Sequence, residues 1–309
     1  MATEVDPLLV VTPRDRCTAC GREALKGCSR CRGTGREPAT LAGLWAGRPA
    51  FLVGAGPSVN QFPYRRLAER GVASIGINNA AAYVPVSAWC FGDHQRKFHH
   101  GLFFDPAMIT FVPDGKLGRV VRARVDGRFR STGIKVGDCP NVWGFSRSCR
   151  FEPERFFATP WAHWGTKSGG RTLDTMLLGL RLLHYLGVRR VYLLGVDLWR
   201  EGKEDGYCFN HPSSGGVQKY VKTNRMLHEL VPTFDRHGFE VLNTNPESRC
   251  DAFPFADFEA AIINCKGAVP GEPFDLAEWY SQGAVKRDAA AFPGPIPWPE
   301  LCERHSGLV

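Results

Sequence analysis

The feature that most constrains the fold is a helical pattern followed at once by an apolar strand. Residues 173–186 (LDTMLLGLRLLHYL) repeat apolar side chains at helical spacing, and Gly187 follows, as glycine commonly does where a helix ends. Residues 188–199 (VRRVYLLGVDLW) then form a largely apolar run. Such runs are typical of strands in parallel sheets that are buried on both faces. The stretch therefore predicts a helix packed on a buried parallel sheet.

The same alternation of strands and helices continues through the central part of the chain. Further strands are predicted at 50–53, 73–77, 88–91, 108–112 and 239–245, and further helices at 64–70 and 218–237. This order predicts an α/β fold, with a Rossmann-like, mostly parallel sheet and helices on both faces. A chain of 309 residues can hold one such domain with appendages.

Four cysteines are grouped near the N-terminus in two CxxC pairs: Cys17, Cys20, Cys28 and Cys31. Two such pairs on a short connector can place four thiolates around one zinc ion, and the glycines that follow them permit tight turns. We therefore predict a small knuckle with structural Zn²⁺, and an iron–sulfur cluster is the alternative. The other seven of the 11 cysteines are dispersed, which suits reduced thiols in the cytoplasm.

These patterns divide the chain into three expected parts. Residues 1–40 form the zinc-binding knuckle and a linker, residues 41–270 form the Rossmann-like domain, and residues 271–309 form a proline-rich tail that packs on the surface. No apolar run approaches the roughly 20 residues of a membrane span, and the N-terminus lacks the pattern of a signal peptide. We expect a soluble, cytoplasmic protein that does not bind membranes.

The charge distribution favours an anionic partner. The net charge is +8, and much of the excess lies in the first 36 residues and in 119–150. Such a balance suits nucleic acid, nucleotide or acidic lipid, although a basic surface also serves solubility alone. Five arginines alternate as they would on a hairpin or loop: Arg119, Arg122, Arg124, Arg128 and Arg130. The aromatic residues Phe129 and Trp143 are candidates for stacking on a base, with a place in the core as the alternative.

A glycine-rich loop, GAGPS (54–58), follows the first predicted strand. It matches neither the dinucleotide fingerprint nor the P-loop. Gly54 and Gly56 permit close approach of the backbone to a ligand, and Ser58 can donate a hydroxyl or cap the next helix. The carboxyl end of a strand is where open α/β sheets bind ligands. We therefore predict a phosphate-binding loop, with a purely structural turn as the alternative.

Three motifs in order resemble one superfamily of transferases: FLVGAGPSVNQFPYRRL (51–67), SIGINNA (74–80) and LGVRRVYLLGVDLW (186–199). It contains bacterial CMP-sialic-acid-dependent sialyltransferases, motility accessory factor flagellin glycosyltransferases, hydroxymethylpterin diphosphokinases and phage proteins. The resemblance covers roughly 51–254 and implies that 41–270 is a glycosyltransferase-type domain. It also implies that the GAGPS loop (Gly54, Gly56, Ser58) and Asn78 bind the donor nucleotide.

The resemblance is incomplete at two donor-binding motifs. Ala55 stands where the sialyltransferases carry an asparagine. The sialyltransferases also have a Thr-Ser-Gly segment that opens the helix before the Leu-Gly turn, and the corresponding segment here, TKSGGRTLD, lies farther from Gly187 in the sequence. In that segment Ser168, Gly169 and Arg171 remain candidates for an anion-binding helix start. In the sialyltransferases, tyrosines in the loop after the strand that corresponds to 188–199 bind the donor phosphate, and Tyr207 is the residue of this chain that best matches them. The resemblance therefore does not identify the sugar or the nucleobase of the donor.

Candidate catalytic groups follow the predicted strands. Asp197 comes directly after the most apolar strand, where it could bind a metal or a ribose or cap the next turn, so a catalytic divalent metal stays open. In the transferases that the sequence resembles, a histidine after this strand removes the proton of the acceptor hydroxyl. His211 is the histidine of this chain that best corresponds to it in position. Asp93 and His94 are a second candidate pair. Imidazole suits this role because its pKa lies near neutrality.

The sequence therefore predicts a glycosyltransferase with a nucleotide-sugar donor, and leaves its oligomeric state open. The acceptor favoured by the basic segments and the phage relatives is a hydroxymethylated pyrimidine in DNA, and the alternative acceptors are a glycan, a protein or a small molecule. One alternative is an ATP-dependent pyrophosphokinase or nucleotidyl transferase acting on a small heterocycle. Another is a zinc-bearing protein that binds nucleic acid without catalysis.

The zinc assignment gives a direct prediction. Purified protein should contain about one zinc ion per chain, because the two CxxC pairs supply a complete tetrahedral ligand set. Cys20→Ser combined with Cys31→Ser should remove the metal, measured by elemental analysis, whereas Cys302→Ser should not. Unchanged zinc content in the double variant would contradict the assignment.

Overall fold

The computed structural model describes residues 43–69, 71–103, 105, 108–125, 128–139, 142–145, 151–157, 174–199, 207–208 and 217–267. The four knuckle cysteines, Ser168, Gly169, Arg171, His211 and the proline-rich tail lie outside these residues, so the expectations placed on them stay predictions. The strands are β1 (Ala50–Val53), β2 (Ala73–Ile77), β3 (Ala88–Cys90), β4 (Ile109–Pro113), β5 (Val120–Val125), β6 (Arg128–Lys135), β7 (Val142–Phe145), β8 (Arg190–Leu194) and β9 (Glu240–Asn243). The α-helices are α1 (Ala80–Tyr83), α2 (Thr175–Tyr185), α3 (Val217–Arg236) and α4 (Phe258–Gly267).

Seven of the strands form one sheet in the order β7-β4-β3-β2-β1-β8-β9, and every neighbouring pair is parallel. The chain winds outward from β1 through β2, β3, β4 and β7, then crosses back to place β8 and β9 on the other side of β1. The winding direction therefore reverses between β1 and β8. In open α/β sheets this is the place where a crevice forms at the carboxyl ends of the strands.

Strand β1 is buried on both faces, as its apolar sequence predicts. Leu52 belongs to the same apolar cluster as α2 and α3 residues, whereas Phe51 and Val53 pack in the cluster that includes Phe258 of α4. The alternation arises because successive side chains of a strand point to opposite faces. Helices therefore cover both faces of the sheet, and the predicted α/β fold is confirmed.

Helix α2 lies close to the centre of the sheet. Its first turn is capped by Asp174, which accepts a hydrogen bond from the N–H of Leu177 at 3.0 Å. A Cβ on Gly179 would overlap Leu52 of β1, so glycine here permits the close approach of helix and strand. The helix ends before Gly187, whose φ of +92° is the left-handed conformation predicted from its position.

The helix predicted at 64–70 forms only over Tyr64–Ala68, as a short 3₁₀ helix, and a second 3₁₀ segment, Pro57–Gln61, precedes it. Pro63 separates the two segments, because proline disfavours helical backbone in the residue before it, and Phe62 is extended. Strand β7 and helix α4 were not predicted, and the strand expected at 239–245 ends at Asn243.

Strands β5 and β6 form a separate antiparallel hairpin. This is one of the two forms, hairpin or loop, that the spacing of the arginines predicts. Its apolar residues Val121 and Ile134 pack in a cluster with Phe98 and Leu102. Arg119, Arg122 and Arg130 are exposed, and Phe129 is 49% exposed. Trp143 is fully buried in β7, so a stacking role for this residue on a base is excluded. Among the described helices none is long and apolar enough to span a bilayer.

An ion-pair cluster joins the Tyr64–Ala68 segment to α4. Glu69 accepts hydrogen bonds from Arg66 at 2.7 Å and from Lys266 at 2.8 Å, and Arg66 also pairs with Glu259. The bond from Arg66, followed by that from Lys266, lowers the pKa of Glu69 to about 2. The carboxylate is therefore charged across the neutral and mildly acidic range.

Because the pKa of Glu69 is lowered on folding, its stabilising effect should be complete above the ordinary carboxyl pKa of about 4.3 and should decline as the pH falls towards 2. Glu69→Gln should therefore lower the urea midpoint at pH 7 and have a smaller effect at pH 3.5. The exposed Glu154→Gln is the control and should change neither midpoint. A Glu69→Gln effect that does not depend on pH would contradict the ion-pair account.

Candidate functional site

The loops after β1 and β8 are in direct contact at the carboxyl edge of the sheet. The N–H of Gly54 donates to the carbonyl of Leu194, and the N–H of Gly56 donates to that of Gly195, each at 2.8 Å. A Cβ on Gly54 would overlap the Gly195 carbonyl oxygen, and Gly195 has a φ of +66°. The glycines of both loops are therefore required by the contact between the loops themselves.

Asp197 holds three segments together beneath this contact. Its buried carboxylate accepts hydrogen bonds from the Ser58 N–H at 3.0 Å, the Ser58 hydroxyl at 2.5 Å and the Asn245 side-chain amide at 3.0 Å. A Cβ on Gly56 would overlap Asp197 Oδ2. We call Ser58, Asp197 and Asn245 the Asp197 cluster. It connects the loops that follow β1, β8 and β9.

This arrangement changes the expected role of the GAGPS loop. Pro57 has no N–H, and three of the remaining four N–H groups in residues 54–58 donate within the protein: those of Gly54, Gly56 and Ser58. The Ser58 hydroxyl donates to Asp197 and caps no helix. The loop therefore does not present the row of free amides that typically binds a phosphate. Asp197 likewise acts on its neighbouring loops, so the structure gives it a positioning role.

A cavity of about 370 Å³ opens above these loops, at the point where the winding direction reverses. Its wall comes from the segments after β1, β2, β3 and β8 and from the first turns of α2 and α3. The polar and aromatic residues of the wall are Asn78, Asn79, Asp93, Lys97, Phe98, Asp174, Thr175, Asp197, Trp199, Tyr207, Lys219, Tyr220 and Thr223. Gly54 and Gly56 also line it.

The cavity brings together six of the residues predicted from sequence: Gly54, Gly56, Asn78, Asp93, Asp197 and Tyr207. Tyr207 lies beside the GAGPS loop because the next residue, Cys208, donates its N–H to the Ala55 carbonyl at 2.8 Å. The cavity wall does not include Ser58 or His94.

Asn78 occupies an unusual backbone conformation at the end of β2. Its φ is +51°, in the left-handed region that few residues other than glycine and asparagine adopt. Its N–H donates to the Cys90 carbonyl at 2.9 Å, and its own carbonyl accepts from the Trp89 indole N–H at 2.8 Å. Strand β3 therefore fixes the backbone of Asn78 from two sides.

The loop after β3 contributes a paired carboxylate and a cation. Asp93 accepts from the Lys97 ammonium at 3.1 Å, and both side chains are more than half exposed at 52% and 60%. Lys116 donates to the carbonyls of Gly92 and Asp93 and so holds this loop in place. Asp93 is therefore paired with Lys97, and the joint role of Asp93 and His94 as carboxylate and base stays a prediction.

The opposite wall is built from two helix starts. Asp174 caps α2 with one oxygen and accepts from the Thr223 hydroxyl at 2.6 Å with the other. Lys219 and Tyr220 lie one turn before Thr223 on α3. Sequence reasoning missed these residues, because only the packing of α3 beside α2 brings them to the cavity. Across the described ranges, no group of three or more His, Cys, Asp or Glu side chains is placed to bind a metal ion.

Comparisons with known proteins give structural likenesses at low identity. No protein-family profile matches the chain, and no curated protein matches it. One similar structure is the Maf glycosyltransferase from Magnetospirillum magneticum AMB-1, with a TM-score of 0.41 and 14% identity over 87% of this chain. This chain covers 40% of the length of that protein.

Another is the sialyltransferase CstII from Campylobacter jejuni in complex with cytidine-5'-monophosphate. Its TM-score is 0.39 and its identity 13%, over 79% of this chain and 99% of that one. The sialyltransferase Cst-II in complex with a trisaccharide acceptor and CMP gives a TM-score of 0.35 and 13% identity, over 78% of this chain and 99% of the other.

The Asp197 cluster predicts a large effect on stability. Asp197→Ala should lower the free energy of unfolding by about 3 kcal/mol, because it leaves the buried donors of Ser58 and Asn245 without an acceptor. Urea unfolding measures the change. Asp235→Ala, an exposed change on α3, should stay within about 0.5 kcal/mol of the wild type. An Asp197→Ala protein as stable as the Asp235→Ala control would contradict the structural role.

Proposed function

We propose that the protein is a glycosyltransferase that takes a sugar from a nucleotide-sugar donor and transfers it to a hydroxyl acceptor. The observation that carries this proposal is the cavity at the reversal of the sheet with Asn78 in its wall. This is the residue that the sequence resemblance associates with the donor nucleotide. A volume of about 370 Å³ is within the usual range for a small-molecule site.

The wall offers a suitable environment for each part of a nucleotide. Trp199 and Tyr220 provide aromatic surface for a base or a sugar ring. Lys97 and Lys219 provide ammonium groups for the phosphate. Most amides of the GAGPS loop cannot serve this purpose, because they already donate within the protein. Tyr207 is a further hydroxyl donor, and Ser168, Gly169 and Arg171 remain proposed contacts from outside the described residues.

The transfer itself needs a base and a leaving group. A base removes the proton from the acceptor hydroxyl as its oxygen bonds to the anomeric carbon, while the bond from that carbon to the donor phosphate breaks and the nucleotide leaves with the electron pair. His211 is the proposed base, with Asp93 and His94 as the alternative pair. Asp93 and Lys97 both line the cavity, and the Lys97 ammonium is paired with the Asp93 carboxylate. If Asp93 takes part in removing the acceptor proton, this ammonium lies next to the carboxylate whose charge changes.

The acceptor that the charge distribution favours is DNA that carries a hydroxymethylated pyrimidine. Support comes from the hairpin, where Arg119, Arg122, Arg130 and Phe129 are exposed. The hairpin packs against Phe98, which also lines the cavity, so an arginine-bearing surface adjoins the site. Arginines bind backbone phosphates, and a base must leave the helix to reach a catalytic cavity.

Ligand binding gives the first test. In a thermal-shift panel, a nucleotide or nucleotide sugar at 100 times its Kd should raise the Tm by about 5–10 °C. Asn78→Gly suits a φ of +51° and should fold, yet it should lose most of this shift because the amide is gone. Asn264→Ala, on α4, is the matched control and should keep it.

Other outcomes of the panel separate the alternatives. A response to ATP with none to nucleotide sugars would replace the proposal with pyrophosphoryl or nucleotidyl transfer. The absence of any response would favour the zinc-bearing nucleic-acid-binding protein.

Turnover tests the acceptor. The protein is incubated with nucleotide sugars and with DNA containing hydroxymethylcytosine or hydroxymethyluracil, and the nucleosides are analysed by mass spectrometry. A hexose-sized mass gain supports DNA as the acceptor. Transfer of the sugar to a glycan or peptide, with none to DNA, would contradict it and leave the glycosyltransferase proposal intact.

A further inference from the structure

Two consecutive asparagines, Asn78 and Asn79, present buried amide oxygens at the end of β2. Both residues line the cavity. Within the described part of the chain, neither side-chain oxygen accepts a hydrogen bond, although both oxygens are buried. A buried acceptor without a donor is unfavourable, so a site that keeps two of them side by side is built for a ligand that donates.

The backbone around Asn78 fixes the first of these oxygens. Both of its backbone polar groups are bound to β3, through the Cys90 carbonyl and the Trp89 indole. Its left-handed φ of +51° would suit glycine better. Asparagine at such a position keeps an amide in the cavity at a conformational cost, and the bonds to β3 prevent the backbone from turning that amide away.

Asn79 gives up an ordinary stabilising role. It stands at the N-cap of α1, where an asparagine side chain commonly accepts a hydrogen bond from the first turn. Its side chain makes no such bond. Replacing the side chain therefore removes no cap interaction.

The three carboxylates of the cavity wall have donors of their own. The Asp197 carboxylate is bonded to Ser58 and Asn245, and the Asp174 carboxylate to Leu177 and Thr223. The Asp93 carboxylate is paired with Lys97. Hydrogen-bond donors of a ligand would therefore be directed to the two asparagines. A phosphate group is mostly ionised at neutral pH and mainly accepts hydrogen bonds. The part of the wall formed by the two asparagines therefore suits a group that bears hydroxyls.

We propose that Asn78 and Asn79 accept hydrogen bonds from the two vicinal hydroxyls of the donor's ribose, and so select ribonucleotides over deoxyribonucleotides. The inference rests on the proposed function. Two acceptors on adjacent residues match two donors on adjacent ring carbons. A ligand that lacks either hydroxyl leaves one buried oxygen unpaired, and sites built to bond a hydroxyl discriminate strongly against such analogues.

The test is a calorimetric titration of the full chain. Ribonucleoside monophosphates and diphosphates of the four bases identify the tightest ligand, which is then compared with its 2′-deoxy and 3′-deoxy forms. Each deoxy form should bind at least about 10-fold more weakly to the wild type. Asn79→Ala should bring the 2′- or the 3′-deoxy form to within about two-fold of the ribonucleotide, by weakening the ribonucleotide alone.

Two further variants separate acceptance from shape and folding. Asn79→Asp retains an oxygen acceptor and should keep the preference for the ribonucleotide. Asn264→Ala, on α4 and not part of the cavity wall, should leave all affinities unchanged. Asn78→Gly, which suits the observed φ, should lose discrimination at the other hydroxyl. Circular dichroism confirms that each variant is folded.

The possible failures are distinct. Equal binding of the ribo and deoxy forms by the wild type would overturn the inference while the nucleotide site stands, and so would a preference that survives in both Asn78→Gly and Asn79→Ala. Selection for bases with an amino group, without selection for the ribose, would show that the oxygens bind the base instead. Binding of no nucleotide would overturn the proposed function as well.

Discussion

The hydrogen bonds of Asp197 are the interaction on which the rest of the site depends. The carboxylate joins Ser58 and Asn245, and so holds the loops of the first, eighth and ninth strands in one arrangement. A buried carboxylate is tolerated only when donors surround it. The glycines nearby are small so that this contact can form, and the floor of the cavity follows from it.

The cavity above that floor divides into regions of different chemistry. Acceptor oxygens from Asn78 and Asn79 lie at the end of the second strand, and the ammonium groups of Lys97 and Lys219 come from the loop after β3 and from the start of α3. A ligand with hydroxyls at one end and phosphate at the other meets both needs. This polarity supports a nucleotide more directly than the glycine loop does.

The sequence predicted the sheet well because its strands are buried on both faces, as the run around Leu193 shows. Strand-end positions also located Asp93 and Asp197, and the sequence resemblance located Asn78. Local patterns failed where the tertiary context decides. The pattern at 64–70 predicts a longer helix than the 3₁₀ segment that forms, and Trp143 lies in the core although it belongs to the basic stretch 119–150. Lys219 and Thr223 were missed because their place depends on how α3 packs.

The internal use of the glycine loop bears on how relatives of this protein can be sorted. Gly54, Gly56, Gly195 and Asp197 are in close contact with one another, so selection for a folded chain alone would preserve them. The presence of the GAGPS loop in a relative therefore indicates common ancestry and a similar fold, and does not by itself indicate the same reaction. Asn79 forms no cap, so under the proposed contact with ribose a bound ligand is what would preserve it. Under that proposal, its presence or absence among homologues would separate proteins that bind the donor from those that keep only the scaffold.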